Sequence, residues 1–136
     1  MSRTSWFAAC LVLPMATAQA ASDPADPAML KLASRSGCLT CHRIESAPRR
    51  QDEPLPIGPA WSDVAARYER VPEATDQLSR TVLAGSSPYA SHWKGKVTGL
   101  AMPPNAVAIT EPDARNLVAW ILALPKPVAA PEATRR

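Results

Sequence analysis

Cys38-Leu39-Thr40-Cys41-His42 puts two thiols and an imidazole within one short run of the chain. On a brief helical segment, residues three apart lie on neighbouring parts of one face. Two sulfurs so placed can each form a thioether to a different vinyl group of one haem. His42 follows directly and can bring its imidazole under the iron as the proximal ligand. The spacing Cys-x-x-Cys-His is the attachment signature of c-type haem. Such a group is large, flat and mostly apolar, and a small domain could be built around it. Two other chemistries use part of the same pattern. A thioredoxin-like redox pair sits at a strand-to-helix junction, and no run of β-branched residues precedes Cys38. A structural zinc site needs four ligands; the chain past its leader offers only Cys38, Cys41, His42 and the distant His92.

Composition narrows the setting. The chain has 136 residues, a one-domain length, and 46% of them are apolar, enough for a core. Fifteen prolines against five glycines favour short helices joined by stiff loops over a sheet. The net charge of +3 is mild, and no basic run interleaved with aromatics suggests nucleic acid as a partner.

Residues 1–20 read as a secretory signal peptide. Arg3 supplies the positive start, Trp6 to Met15 the apolar stretch, and Ala18-Gln19-Ala20 an A-x-A cleavage site. Its removal takes Cys10 with it. Residues 21–125 form the expected domain, and residues 126–136 a Pro/Ala-rich tail expected to be disordered.

Within the domain, Asp26 and Pro27 are suited to the cap and first position of a helix running to Ser36. Gly37 serves either as its C-terminal glycine or as a tight turn beside Cys38. Arg43 to Pro56 is a polar, proline-bearing loop in which Arg49 and Arg50 are candidate docking positions. Pro59 lacks an amide proton, but its carbonyl can accept one. An imidazole bound to iron usually donates its free N–H to such an acceptor, so Pro59 is the candidate partner of His42. Helices are expected over Trp61–Tyr68 and Ala74–Ala84, the second closed by Gly85 and facing inward through Leu78, Val82 and Leu83. In the loop that follows, Trp93 is the candidate neighbour of a haem propionate, because a buried indole N–H seeks a partner. Thr110 is placed to cap a last helix, with Asp113 reaching back in a variant capping box. Leu117, Trp120, Ile121 and Leu124 form its apolar stripe.

Ala101-Met102-Pro103-Pro104-Asn105 is the second informative stretch. A thioether is a soft, neutral ligand for iron, and two consecutive prolines stiffen the loop that presents it. Met102 is therefore the candidate second axial ligand, ahead of Met29 and His92. His/Met ligation raises a haem's potential relative to stronger donors.

The ordered set Asp26-Pro27, Gly37 to His42, Gly58-Pro59-Ala60, Val64 to Tyr68, Ala101 to Val107 and Leu117 to Leu122 resembles the class I cytochromes c. The likeness is to the small bacterial monohaem group of the 551/552 type, and it covers roughly residues 24 to 125. It implies an all-α fold of four or five short helices wrapped round one haem c held by Cys38 and Cys41. It implies His42 and Met102 as axial ligands, the Pro59 carbonyl on His42, and Trp93 near a propionate. It also implies a periplasmic carrier of single electrons between redox proteins, in keeping with the leader, because haem attachment takes place outside the cytoplasm. The loops at 43–56 and 91–98 are longer than is usual in the group, and Ala33 stands where an aromatic is common. No catalytic acid or base cluster is apparent, so an enzyme is not expected. The principal alternative is a haem subunit held permanently on a periplasmic dehydrogenase or reductase. A ligand-binding haem protein with a labile Met102 is the other.

Overall fold

A computed structural model describes residues 22–127. The signal peptide read at 1–20 and all but the first two residues of the tail lie outside it.

Among the described residues, four helices and one 3₁₀ turn follow each other in the order α1 (Pro27–Arg35), the turn (Cys38–Thr40), α2 (Trp61–Tyr68), α3 (Ala74–Ala84) and α4 (Glu111–Leu122). Among the described residues there is no strand, only an isolated bridge between Lys94 and Val97. The architecture is all-α, as the sequence led one to expect.

The helix boundaries have local causes. The Asp26 carboxylate accepts from the N–H groups of Ala28 (2.8 Å) and Met29 (3.2 Å), which would otherwise lack partners, and Pro27 follows at the first position. α1 closes where Gly37, at φ 75°, enters the left-handed region and opens the 3₁₀ turn directly. Gly37 thus fills both roles considered for it. Gly85 closes α3 in the same region. Thr110 caps α4 by accepting from the Asp113 N–H at 3.3 Å. The expected capping box is not completed: the Asp113 carboxylate turns to Arg35 on α1, 3.1 Å away. The long guanidinium arm reaches it across the helix crossing, and an ion pair there outcompetes a return to the cap.

α4 is the hub, packing against α1, α2 and α3. Its stripe is buried as expected: Leu117, Trp120, Ile121 and Leu124 join Leu32, Trp61 and Ile109 in one apolar cluster. Three alanines, Ala33 on α1, Ala65 on α2 and Ala114 on α4, have no exposed surface at all. Small side chains at these positions let the helices approach closely, which accounts for Ala33. α3 sits further out. Its Leu78, Val82 and Leu83 are only half-buried, while Ala74 and Ser79 are buried. Surface ion pairs tie α4 and the segment that follows it to the rest, Arg115 to Asp76 and Lys126 to Glu69, each at 2.6 Å. Such exposed pairs contribute at most about 1 kcal/mol each, so apolar burial holds the bundle together. No helix among the described residues is long and apolar enough to cross a membrane.

Candidate haem site

The 3₁₀ turn carries the two thiols. Cys38 and Cys41 are both half-buried and both free. Burial pushes the Cys38 thiol above its ordinary pKa; a backbone hydrogen bond partly opposes the rise, and the neighbouring Cys41 adds a lesser contribution to it. A thioredoxin-like nucleophile needs the opposite shift.

His42 follows the turn, its backbone N–H still donating to Cys38 O at 3.1 Å. Its ring is fixed from two sides. Nδ1 lies 2.8 Å from the Pro59 carbonyl. That oxygen can only accept, so Nδ1 carries the proton and Nε2 keeps a free lone pair. The ring also stacks on Trp61, with centroids 5.9 Å apart and planes 23° apart, and Trp61 in turn meets Trp120 edge-on at 5.7 Å. Burial pushes the His42 pKa down, with the Pro59 bond opposing. The imidazole is therefore neutral near pH 7, as a metal ligand must be.

Pro59 is presented by a close passage of the backbone. The Gly58 N–H donates to Cys41 O at 2.9 Å. A Cβ on Gly58 would lie 2.9 Å from His42 Cε1. One step earlier, the same segment is stitched to the approach of the methionine loop. Thr98 N–H donates to Pro56 O at 2.8 Å, and Gly99 N–H to Ile57 O at 3.0 Å. A Cβ on Gly99 would fall 2.5 Å from Ile57 O. The histidine side and the methionine side are thus one connected unit.

Met102 is half-buried and its loop is bound to the end of α3. Its N–H donates to Ser86 Oγ at 2.8 Å, and its carbonyl accepts from Ser86 N–H at 2.9 Å. Asn105 donates twice to Val82 O, from its backbone at 3.1 Å and from Nδ2 at 3.2 Å. The two rival ligands are engaged elsewhere. His92 Nε2 lies 3.0 Å from the Tyr68 hydroxyl, and Met29 packs against the apolar cluster.

The donors suit a haem, and so does their surround. Leu39, Ile57, Leu100 and Val107 are large apolar side chains left 39%, 51%, 83% and 99% exposed. All four lie on the segments that carry or brace Cys38, His42 and Met102, where an apolar planar group would cover them. No group of acidic, histidine or cysteine side chains fit to hold a metal ion occurs among the described residues.

Trp93 and Pro59 share the wall of a cavity of about 400 Å³ with Arg43, Arg67 and Lys96. Neither the thiols, His42 nor Met102 line it. The two long loops meet there, at Arg43–Pro56 and Trp93–Val97. Arg49 and Arg50 are engaged within their own loop, Arg49 with the Glu53 carbonyl and Arg50 with Asp52 at 3.3 Å.

Sequence reasoning missed three contributors. The sequence marks Trp61 only as the start of an expected helix. The Tyr68–His92 contact and the Ser86–Met102 bonds join positions 24 and 16 residues apart with no regular spacing to reveal them. The Gly-Ser step after α3 was the one local sign that a loop could come close.

The comparisons with known proteins agree with this geometry. A family model described as cytochrome c matches residues 31–125. Cytochrome c-551 of Allochromatium vinosum is 41% identical over 101 residues, covering 74% of this chain and 90% of that protein. Cytochrome c-552 of Nitrosomonas europaea is 33% identical over 125 residues, covering 90% and 98%. The crystal structure of the wild-type Nitrosomonas europaea cytochrome c552 superposes with a TM-score of 0.53 at 33% identity, over 70% of this chain and 98% of that one.

Proposed function

This chain belongs to the cytochrome c family, and we propose that it is a periplasmic one-electron carrier with its haem c held through Cys38 and Cys41 and ligated by His42 and Met102. Family membership makes it a small class I monohaem cytochrome, an electron-transfer protein rather than an enzyme, with one covalently attached haem c. The haem supplies a couple that gains and loses one electron.

The chain's own residues supply the rest. Cys38 and Cys41 tether the group from one turn. Pro59 holds His42 in the Nδ1–H tautomer and raises the basicity of Nε2. Trp61 fixes the plane of the ring. Met102, on its braced loop, would supply a neutral sulfur as the second protein ligand, and with His42 it would leave no ligand position open to a substrate. Trp93 borders the cavity beside Pro59 and is the proposed neighbour of a propionate. The leader read at 1–20 supports export, and the electrons pass between periplasmic redox proteins.

The observation that carries this reading is the 2.8 Å contact between His42 Nδ1 and the Pro59 carbonyl. It assigns the tautomer and leaves Nε2 free for a metal. The test is carbon monoxide added to the reduced, haem-bearing protein at neutral pH. A closed site gives no rapid spectral change. Rapid, stoichiometric binding would overturn the carrier reading in favour of a ligand-binding protein.

A further inference from the structure

The segment Met102-Pro103-Pro104-Asn105 has few backbone donors, because neither proline has an N–H, and it is tied within itself by the bond from Asn105 Nδ2 to Pro103 O at 2.7 Å. The donors that flank the prolines, Met102 N–H and Asn105 N–H, are both spent on the end of α3. Ser86 is engaged twice: its hydroxyl accepts from Met102 N–H at 2.8 Å, and its own N–H donates to Met102 O at 2.9 Å. The two bonds close a ring that fixes the methionine backbone from both directions and leaves only its side-chain torsions free. Gly85 makes the approach possible. At φ 82° it turns the chain out of α3, and a Cβ there would lie 3.0 Å from both Met102 O and Pro104 N.

We propose that Ser86 is the positioning residue for the sixth ligand, and that its hydroxyl decides whether the haem site stays closed to small molecules. This rests on the ligation by Met102 proposed above. Ser86 carries no charge and acts only through the methionine backbone. Its effect therefore falls on ligand exchange. Losing the hydroxyl leaves Met102 N–H without a partner inside the protein, while the second bond, made by the backbone, survives substitution.

The experiment titrates imidazole into the ferric haem protein and follows loss of the weak far-red band that a thioether–iron bond gives. It compares the wild type with Ser86→Ala, Ser86→Thr and Ser79→Ala. Ser79 lies on the same helix, and its hydroxyl bonds within α3 to Thr75 O at 2.7 Å, away from the methionine loop. A lost hydrogen bond of ordinary strength should tighten imidazole binding roughly tenfold in Ser86→Ala. Ser86→Thr keeps a hydroxyl and should stay close to wild type, as should Ser79→Ala. The inference is overturned if Ser86→Ala binds imidazole like the wild type, or if Ser79→Ala tightens binding equally, which would mark a merely structural role. Should Ser86→Ala fail to fold, Ser86→Thr decides: near-wild-type affinity supports the hydroxyl's role, and affinity tightened tenfold opposes it. A wild-type protein lacking the band would remove Met102 as ligand, and Ser86's role with it, a result distinct from any difference among the variants.

Discussion

Substituting Gly58 by alanine strikes His42, the proposed ligand, without changing its chemistry. The new methyl would lie 2.9 Å from His42 Cε1, 3.1 Å from Nδ1 and 3.1 Å from Cys41 O, against an ordinary contact of 3.4–4 Å. The ring cannot retreat cheaply, because Trp61 stacks on it and Pro59 holds Nδ1. Overfilling a packed site of this kind costs about 1–3 kcal/mol. Stretching the 2.8 Å bond to Pro59 by several tenths of an ångström forfeits most of a contribution near 1 kcal/mol. Alanine's lower freedom in the unfolded chain returns about 0.4–1 kcal/mol. The net loss is about 2 kcal/mol, a fall in melting temperature of roughly 8–10 °C for a domain of this size. The loss should come with a rise in reduction potential, because a weaker Pro59 bond makes the imidazole a poorer donor to the ferric ion. Thermal unfolding followed at the Soret band, with a potentiometric titration, reads both effects. A variant that melts within about 2 °C of the wild type at unchanged potential would refute the claim that this passage orients His42.

Met102→Ala should lower the reduction potential and let carbon monoxide bind the reduced protein quickly; an unchanged potential would count against the sulfur as ligand. Trp61→Ala empties a site that is only 4% exposed and should cost about 3–5 kcal/mol, seen as early melting, with His42 ring signals in the NMR spectrum losing their single orientation. Lys126 donates a hydrogen bond to Glu69 and holds its carboxyl below the ordinary range. Because the folded pKa is the lower one, the pair's contribution is present above the unfolded carboxylate value and fades as pH falls through the folded value. Lys126→Ala should return the Glu69 titration, followed by NMR, toward the ordinary value, and added salt should shrink the difference between the two proteins. Identical titrations would show that the contact is not populated in solution.

Much of this site was legible because its parts are local. The thiols and His42 are consecutive, and a capped helix with Pro27 at its first position announces itself in a few residues. Pro59 was found because a residue without an N–H has only its carbonyl to offer. The α4 stripe follows helical spacing. What escaped notice depends on how separate segments meet. Ser86 and Met102 share no period, and nothing in the chain distinguishes Ser86 from Ser87 as the residue that fastens the loop. Asp113 looked like a capping residue because its nearest candidate partner in sequence is Thr110. In space Arg35 is nearer to hand, and the carboxylate pairs across the α1–α4 crossing instead. Trp61 opens an expected helix and is buried in the core, but its ring also sets the plane of the imidazole, which no sequence spacing shows.

Every role proposed for this chain depends on a covalent link between porphyrin and polypeptide at one turn of the chain. Mass spectrometry of the purified protein, unfolded in acid so that any loosely held group is lost, measures that link directly. The predicted result is a polypeptide heavier by one haem, with the added mass on the peptide that contains Cys38 and Cys41 and no free thiol left there. A folded protein whose mass is that of the bare chain, with both thiols open to alkylation, would contradict it.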